Sequence, residues 1–489
     1  MTKNSLVKIG LFIFIFFLSF KVIVDTDLGW HIQVGEYILK TLSVPRTDLF
    51  SFSQPDYPYV YHSWATEVII FVGYKWLGLW GVTIFYALVI TLSVFFIYRT
   101  SILLSGKINY PLFLWSAPLA FIFAGGRTRA MGFLLLAVFY FLFTKFQLKN
   151  SRAIWLAPLL FFLWVNLHGS FILGIGVFAV LILTWRFFSK ENQRTPKFKN
   201  LLIIFFLSLV STLFNPYFFG AWKQAILMTL NSTLALRSVN LDWRSLVEPS
   251  SGGLIFATIV AVVIFLLFFG KSKVSKIQKF LLLLFFILSF LTARFVLPLF
   301  VFFVPVANQT LEDLKSRINK QVQSSISVKG FVLALYLVLS LTALSNFLEV
   351  SVANKSLRQY SYFLEKFSLT RLLYSPWPYQ ANLFIKENLQ EKRIFAEANW
   401  GSYMIWLNPS QKVFYWGAMD NFIVSGRSFV FEYQDIVNAK PNWEEKLNQY
   451  KIDVVFLPKE FPLVAVLNLK EDWQKVYDRQ DTVIFTKRN

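Results

Sequence analysis

Two aspartates stand immediately after the first apolar run of the chain. Asp25 and Asp27, in the string VDTDLGW, follow the run from Ile9 to Val24. A carboxylate at the edge of a membrane is partly desolvated and can act as a base toward a hydroxyl group. We therefore predict that one of the two aspartates is a catalytic base. The competing interpretation is that either of them simply caps the helix that follows.

A second set of polar residues is spread over the chain at the ends of apolar runs. Ionisable residues at membrane depth are costly and usually face a cavity or a partner. Taken singly, each is more often an interfacial cap or a loop residue, but as a set they indicate a cavity on one side of the membrane. The set comprises His31, Asp48, His62, Glu67, Arg127, Arg129, Asn166, His168, Asn215 and Arg294.

An amphipathic helix is predicted directly after the two aspartates. Apolar residues recur there at helical spacing, at Leu28, Ile32, Val34, Ile38 and Leu39. This pattern is typical of a helix that lies in the plane of the membrane interface.

The composition requires a membrane protein to hold these elements. Hydrophobic residues make up 56% of the 489 residues and charged residues only 15%. Several apolar runs approach the roughly 20 residues that span a hydrocarbon core as a helix. The net charge of +21 is explained by basic cytoplasmic loops, so no nucleic-acid partner is expected. The chain has no cysteine, which excludes thiol catalysis and Cys-ligated metals.

The distribution of lysine and arginine predicts the topology. With the N-terminus in the cytoplasm and about 11 transmembrane helices, every strongly basic loop, such as RFFSKENQRTPKFK, falls inside. This count requires that the short apolar stretch 65–77 does not span the membrane. All the candidate residues above then lie on the outer side.

The last 140 or so residues predict a separate α/β domain outside the membrane. We expect a transmembrane domain over 1–349, with a first outer loop at 25–64, and a soluble extracytoplasmic domain over 350–489. Strands are predicted in RIFAEA, YMIWLN, KVFYWG, DVVFL and TVIFTK. Helices are predicted around 355–367, 379–389 and 427–450.

The order of these elements resembles the GT-C superfamily of membrane glycosyltransferases. The string DTDLGWHIQVGEYILKTLSVPRTDLFSFS, with HSWATEVII after it, is similar to a bacterial branch of that superfamily. NLHGSFILG, FNPYFFGAW, TARFVLPLF and NWGSYMIW fit the same branch. The resemblance implies a multi-pass protein of the bacterial inner membrane that acts in the cell envelope.

The resemblance also implies a reaction and its partners. A sugar would pass from a polyprenyl-phosphate-linked donor, embedded in membrane lipid, to a lipid, glycan or protein acceptor, with inversion at the anomeric carbon. Asp25 or Asp27 would be the base, and Arg127, Arg129, His168 and Arg294 would hold the donor phosphate. The remaining polar residues would support the site. Some members use a divalent metal, which here would be Mg or Mn at Asp25, Asp27 and His31.

Other functions remain open at this stage. A glycan ligase or polymerase of the same fold, or a non-catalytic protein of envelope assembly, would have a similar sequence pattern. A transporter is disfavoured because there is no repeat symmetry. The C-terminal segment lacks the acceptor-reading motif of oligosaccharyltransferases, which argues against N-glycosylation of sequons.

Overall fold

The computed structural model describes residues 3–23, 25–114, 120, 126–188, 196–231, 251–269, 273–315, 326–353 and 377–488. Contacts divide the chain into two compact units. The first, called the helical unit below, comprises Met1–Lys21 and Thr83–Leu348. The second, called the mixed unit, comprises Val22–Val82 and Glu349–Asn489.

Apolar helices make up the helical unit. In lipid the backbone N–H and C=O groups have no water to bind, so an apolar segment must pair them within its own helix. In chain order they are α1 (Lys3–Ser19), α4 (Leu79–Ser105, which begins in the mixed unit), α5 (Arg129–Lys149), α6 (Ala157–Leu167), α7 (Phe171–Phe188), α8 (Pro196–Ser211), α9 (Phe219–Asn231), α10 (Ser251–Phe269), α11 (Lys276–Leu291), α12 (Val296–Lys315) and α13 (Ile326–Ala353). Short 3₁₀ turns, Arg152–Leu156 and Ala293–Phe295, precede α6 and α12.

Among the described residues, four helices are long and apolar enough to cross a membrane. They are Leu79–Ser105, Arg129–Lys149, Phe171–Phe188 and Ala293–Leu314. The chain is therefore a polytopic helical membrane protein, as predicted. The predicted span at about 110–125 lies largely outside the described residues.

Aromatic side chains fill the interior of the helical unit. Phe139 of α5 packs against Phe161 of α6 and Phe178 of α7. Tyr140 contacts Phe302 of α12 with ring centroids 4.8 Å apart. These contacts hold α5, α6, α7 and α12 together. Five of the candidate polar residues lie within two residues of an end of these helices: Arg127, Arg129, Asn166, His168 and Arg294.

The mixed unit begins with two helices, α2 (Leu28–Thr41) and α3 (Trp64–Leu77). The helix predicted after Asp27 is thus confirmed. Its apolar face is covered by protein: Leu28, Ile32, Val34 and Ile38 are buried. A Cβ on Gly35 would overlap the backbone of Glu67, so the absence of a side chain lets α2 and α3 touch. The 14 residues of α3 extend about 21 Å, less than a hydrocarbon core of about 30 Å.

A four-stranded sheet forms the core of the C-terminal part, in the order β1-β4-β6-β5. The strands are β1 (Ile394–Ala396), β4 (Val454–Pro458), β5 (Trp473–Arg479) and β6 (Thr482–Lys487). β1 pairs with β4 in parallel and the other pairs are antiparallel. A separate hairpin joins β2 (Ile423–Val424) to β3 (Arg427–Ser428).

Helices surround this sheet and confirm the predicted α/β class. They are α14 (Tyr379–Asn388), α15 (Ala398–Leu407), α16 (Phe429–Val437), α17 (Trp443–Gln449) and α18 (Pro462–Leu467). The helix predicted at 379–389 corresponds to α14, and the one predicted at 427–450 is two helices. The helix predicted at 355–367 lies outside the described residues.

Two of the predicted strands are wrong. YMIWLN lies in α15, which is buried on all sides, and a short apolar run does not distinguish a buried helix from a strand. Glu397 caps α15, because its side chain accepts the N–H of Trp400 at 2.9 Å. KVFYWG is extended, but pairs only through isolated bridges of Val413 to Ser51 and Ile394. The polar edge strand β5 was not predicted.

Residues 22–82, grouped in the sequence analysis with the transmembrane region, cluster in the structure with residues 349–489. Hydrogen bonds between segments hundreds of residues apart explain this grouping. The indole N–H of Trp416 donates to Asp48 Oδ1 at 3.1 Å, and Val413 N donates to Phe50 O at 3.0 Å. The first loop is therefore built into the C-terminal sheet domain.

Candidate functional site

Asp25 and Asp27 form one turn at the start of α2. Oδ1 of Asp25 accepts the backbone N–H of Asp27 at 2.9 Å, and Asp25 is buried. Asp27 occupies the N-cap position of α2, but its side chain makes no capping hydrogen bond. It is half-buried and therefore the more accessible of the two carboxylates. The interpretation that Asp27 is present only as a helix cap is not supported by this geometry.

The carboxylate of Asp27 is held by residues of the C-terminal part of the mixed unit. Ser402 Oγ donates to Asp27 Oδ1 at 3.3 Å, and Gly417 N donates to Ser402 Oγ at 2.9 Å. A Cβ on Gly417 would overlap Asp27 Oδ1, so this position requires a glycine. The side chains of Thr26 and Asn399 also form a hydrogen bond of 3.2 Å.

More acidic and phenolic groups surround this carboxylate. Oε1 of Glu397 accepts a hydrogen bond from Nδ2 of Asn399 at 3.1 Å. Asp420, three residues after Gly417, is buried. Burial, and then the charges of Asp420, Asp27 and Glu397, raise the pKa of Tyr415 well above its usual value. Tyr415 is therefore a neutral hydrogen-bonding group and not a base.

His31 and Glu67 form a buried pair between α2 and α3. Nδ1 of His31 lies 2.9 Å from Glu67 Oε1, and both side chains are almost completely inaccessible. Burial raises the pKa of Glu67, and the hydrogen bond and charge of His31 oppose that shift. Among the described residues, Oε2 of Glu67 has no hydrogen-bond partner. This hydrogen bond joins the two helices, so His31 and Glu67 help to hold α2 in place against α3.

This arrangement does not assemble the predicted metal ligands. In the part of the chain that the structure describes, no three His, Asp or Glu side chains gather into a metal site. The ring of His31 is bound to Glu67, one helical turn beyond Asp27. In the part of the chain that it describes, the structure therefore does not gather Asp25, Asp27 and His31 into one set of metal ligands.

Asp48 holds its own loop together. Its Oδ1 accepts Phe50 N at 3.0 Å and Trp416 Nε1 at 3.1 Å, and its Oδ2 accepts both the N–H and the hydroxyl of Ser51. Burial raises the pKa of Asp48, and these hydrogen bonds oppose the shift. His62 bonds the hydroxyl of the adjacent Ser63 at 2.9 Å. These bonds hold Asp48 and His62 within the structure of the first loop.

In the helical unit, the start of α5 meets the turn between α6 and α7. A Cβ on Gly132 would overlap Ser170 Oγ and lie 3.1 Å from His168 Nδ1. Ser170 Oγ is bonded to His168 Nδ1 at 2.8 Å and accepts Trp164 Nε1 at 3.0 Å. Arg129 is the first residue of α5, one turn before Gly132, so the structure brings the Arg127–Arg129 segment and His168 to one place.

Arg294 lies in the 3₁₀ turn that leads into α12, where its backbone N–H donates to Thr292 Oγ1 at 3.3 Å. Phe133 of α5 contacts Phe300 of α12, and Tyr140 contacts Phe302 further along both helices. The order of these contacts indicates that α5 and α12 run in the same direction. Arg129 and Arg294 therefore lie toward the same end of the helical unit, and all three arginines are half-buried.

The two asparagines have structural partners. Asn166 Nδ2 donates to the carbonyls of Phe162 and Phe214, which joins the end of α6 to the end of α8. Asn215 Nδ2 donates to the carbonyls of Thr212 and Phe218, and its Oδ1 accepts Tyr217 N at 2.8 Å. These contacts fix chain turns and do not point to binding of a ligand.

The sequence analysis missed Ser402, Gly417 and Asn399 as site residues. The string NWGSYMIW contains two of them and was noted only for its resemblance to a family. Asn399 and Ser402 lie on one face of α15, three residues apart, and the strand predicted from Tyr403 onward did not anticipate this helix.

The chain is similar to known proteins in fold and not in sequence. No family model matches the sequence, and no curated protein matches it. Solved structures do match. The oligosaccharyltransferase of Archaeoglobus fulgidus in the apo form is 9% identical with a TM-score of 0.58, over 92% of this chain and 69% of that chain. ArnT from Cupriavidus metallidurans bound to undecaprenyl phosphate is 10% identical with a TM-score of 0.51, over 99% of this chain and 98% of that one.

Two further solved structures are similar to the chain in fold. The arabinofuranosyltransferase AftD from Mycobacteria is 13% identical with a TM-score of 0.53, over all of this chain and 42% of that chain. The archaeal protein AglB from Archaeoglobus fulgidus, in complex with an inhibitory peptide and a dolichol-phosphate, is 10% identical with a TM-score of 0.53, over 92% of this chain and 69% of that chain. The chain has the GT-C fold. The fold predicted from DTDLGWHIQVGEYILK and the later strings is thus confirmed, and at these identities the likeness establishes the fold alone.

Proposed function

We propose that the chain is a membrane glycosyltransferase that moves a sugar from a polyprenyl-phosphate donor to a lipid, glycan or protein acceptor. The observation that carries the proposal is the half-buried carboxylate of Asp27, bonded to Ser402, in a chain with the GT-C fold. The donor class is supported by two structures of that fold. ArnT was solved with undecaprenyl phosphate and the archaeal AglB with a dolichol-phosphate.

Asp27 is the proposed base, and Asp25 is the residue that positions it. Asp27 is the more accessible carboxylate, whereas Asp25 is buried and accepts the Asp27 amide. The hydrogen bond from Ser402 fixes the orientation of the Asp27 carboxylate without a change of charge. A base held in this way abstracts a proton without first losing rotational freedom.

The proposed phosphate-binding residues are Arg127, Arg129, His168 and Arg294. The contact of Gly132, in the first turn of α5, with the His168–Ser170 turn supports the grouping of Arg127, Arg129 and His168. Guanidinium groups form charge-assisted, bidentate bonds to phosphate oxygens. They stabilise the negative charge that develops on the phosphate as it leaves.

The reaction is a single displacement. The acceptor oxygen forms a bond to the anomeric carbon as the bond from that carbon to the phosphate oxygen breaks. The electron pair of the broken bond leaves with the lipid phosphate, and the acceptor proton passes to Asp27. Attack opposite to the leaving group inverts the configuration at the anomeric carbon.

The side of the membrane follows from the distribution of charge. We propose that the N-terminus is cytoplasmic, because the basic loops then lie inside. The mixed unit then lies on the extracytoplasmic side of the cell (inner) membrane. The donor would then be used on the outer face.

The test is transfer from radiolabelled polyprenyl-phosphate sugars to a membrane extract by the purified chain in detergent. Asp27→Asn is expected to lower transfer at least 100-fold, since a general base contributes about 10²–10⁴-fold. Asp56→Asn is the matched control, because Asp56 is exposed in the same loop. Arg129→Gln is expected to lower kcat as well as to raise KM for the donor, because the charge on the phosphate grows in the transition state. No transfer by the native chain from any donor would favour a non-catalytic protein of the same fold.

A further inference from the structure

The C-terminal ends of α2 and α3 lie side by side. His31 bonds Glu67 near the start of the two helices, and a Cβ on Gly35 would meet the Cβ of Phe71 one turn later. Lys40 and Lys75, near the last turns, line the same cleft. Residues later in α2 thus contact residues later in α3, so the two helices are parallel. Their last residues form one surface, called the helix tip below.

Large apolar side chains cover this helix tip without protein around them. Leu42 is 88% exposed, Trp76 79% and Leu77 57%. Leu42 also has a left-handed backbone (φ 53°) as the C-cap of α2, where glycine is ordinarily favoured. A leucine side chain this exposed is more stable in an apolar surrounding than in water.

The chain enters the membrane next to this tip. A single residue, Gly78 (φ 59°), joins α3 to α4, the longest of the helices able to span a membrane. A Cβ on Gly81 would overlap the carbonyl oxygen of Gly73, so the end of α3 packs directly on the beginning of α4. The helix tip therefore lies where a spanning helix begins, at the boundary between lipid and water. Exposed tryptophan is typical of that boundary.

Two lysines stand over an open cleft behind the apolar residues. The cleft has a volume of ≈ 390 Å³ and is lined by Gln33, Glu36, Lys40, Tyr74, Lys75 and Trp406, among others. Lys40 is 72% exposed and pairs with Glu36 at 2.7 Å. Among the described residues, no carboxylate pairs with Lys75. The cleft thus combines a net positive charge, hydrogen-bonding groups and an apolar border.

We propose that this cleft binds the headgroup of an anionic membrane phospholipid. Lys75 and Lys40 contact the phosphate, Gln33 and Tyr74 offer hydrogen bonds to the headgroup, and the acyl chains lie along Leu42, Trp76 and Leu77. The bound lipid anchors the end of α2, the helix that begins at Asp27. The inference rests on the helix tip and its cleft and does not depend on glycosyl transfer.

The first measurement is the depth of the tip. The chain has no cysteine, so a single one can be labelled with a nitroxide. Leu42→Cys is compared with Leu469→Cys in phosphatidylglycerol nanodiscs, since Leu469 is 86% exposed but belongs to the C-terminal part. Collisions with oxygen are expected to dominate for the label at 42 and collisions with a water-soluble nickel chelate for the label at 469. Equal access to the chelate at both positions would overturn the proposal.

The second measurement is headgroup selectivity, by native mass spectrometry of the full chain titrated with phosphatidylglycerol or phosphatidylcholine. Each lysine near a lipid surface contributes about fivefold to anionic lipid binding. Lys40→Gln with Lys75→Gln is therefore expected to lower phosphatidylglycerol affinity at least tenfold and to lower the affinity for the zwitterionic phosphatidylcholine much less. The control is Lys386→Gln with Lys392→Gln, because both are exposed and Lys386 also lies in the last turn of a helix.

The outcomes separate the possible occupants. Unchanged selectivity in the double variant, at native elution volume, would show that phosphatidylglycerol binds elsewhere. Loss of polyprenyl-phosphate binding with phosphatidylglycerol binding intact would assign the cleft to the sugar donor and reject the proposal. Should the double variant misfold, Lys75→Gln alone carries the test with an expected fivefold loss, because Lys75 is exposed and pairs with no carboxylate of the described residues.

Discussion

The hydroxyl of Ser402 donates a hydrogen bond to Oδ1 of Asp27 at 3.3 Å, across 375 positions of sequence. The same hydroxyl accepts the backbone N–H of Gly417 at 2.9 Å. The orientation of the proposed base is therefore set by the C-terminal sheet domain and not by the helix that Asp27 begins. This explains why the first loop belongs to the same compact unit as residues 349–489.

Ser402→Ala tests that link. The variant loses the donor to Asp27 and leaves the Gly417 N–H without its acceptor, in a position where Ser402 is fully buried. We expect a loss of about 1–3 kcal/mol in the free energy of unfolding and a fall in kcat with little change in KM for the donor. Thermal unfolding and transfer assays measure the two effects. Ser410→Ala is the control, since Ser410 is exposed; a native kcat in Ser402→Ala would show that the hydroxyl does not orient the base.

Asp48→Asn separates a structural carboxylate from a catalytic one. Both oxygens of Asp48 accept hydrogen bonds, so an amide group would necessarily direct its NH₂ toward N–H donors. We expect a loss of about 2–3 kcal/mol of stability, with transfer per folded molecule unchanged. Asp56→Asn, in the exposed part of the same loop, is expected to change stability by less than about 0.5 kcal/mol. Native stability combined with lost transfer would instead place Asp48 in the reaction.

Much of the fold could be predicted because lipid leaves few alternatives. Long apolar runs must be helices in a membrane, and the helix from Leu28 was visible in its spacing. β1, β4 and β6 are runs of buried apolar residues and were located from sequence. β5 was missed since it is an edge strand with polar residues, which local patterns do not distinguish from a loop.

The site was only partly predictable, for a different reason. Asp25 and Asp27 were predicted as candidates because they are two residues apart and follow an apolar run. Ser402 and Gly417 act on Asp27 through a contact that depends on how α15 packs on α2, and no local pattern encodes it. The structural roles of Asp48 and Asn215 were also hidden, since a polar residue in a loop has the same sequence signal whether it binds a ligand or its own backbone.

Glu67→Gln tests the buried pair through its pH dependence. Burial raises the pKa of Glu67 in the folded chain, so the folded state keeps this proton to a higher pH than the unfolded chain does. The contribution of Glu67 to the free energy of unfolding therefore falls as the pH rises from about 4 through the raised value. Glutamine does not ionise and removes this dependence. We expect the Tm of Glu67→Gln relative to the native chain to increase between pH 4 and pH 8.

The control for this series is Glu445→Gln, because Glu445 is exposed on α17. Its Tm difference from the native chain is expected to be constant over the same range. A constant difference for Glu67→Gln as well would mean that Glu67 has the same pKa in both states and that His31 fully compensates its burial.

Gly132→Ala tests whether the start of α5 and the His168 turn form one phosphate site. The added Cβ would overlap Ser170 Oγ, so this hydroxyl must shift and its hydrogen bonds to His168 and Trp164 are disturbed. We expect a loss of about 1–3 kcal/mol of stability from overpacking and a donor KM raised about tenfold or more, because a displacement of about 1 Å can cost 100-fold. Gly176→Ala is the control, since Gly176 lies in α7 with open space around it and alanine favours a helix. Equal donor KM values in Gly132→Ala, Gly176→Ala and the native chain, measured at saturating acceptor, would show that the turn and the arginines do not bind the donor phosphate together.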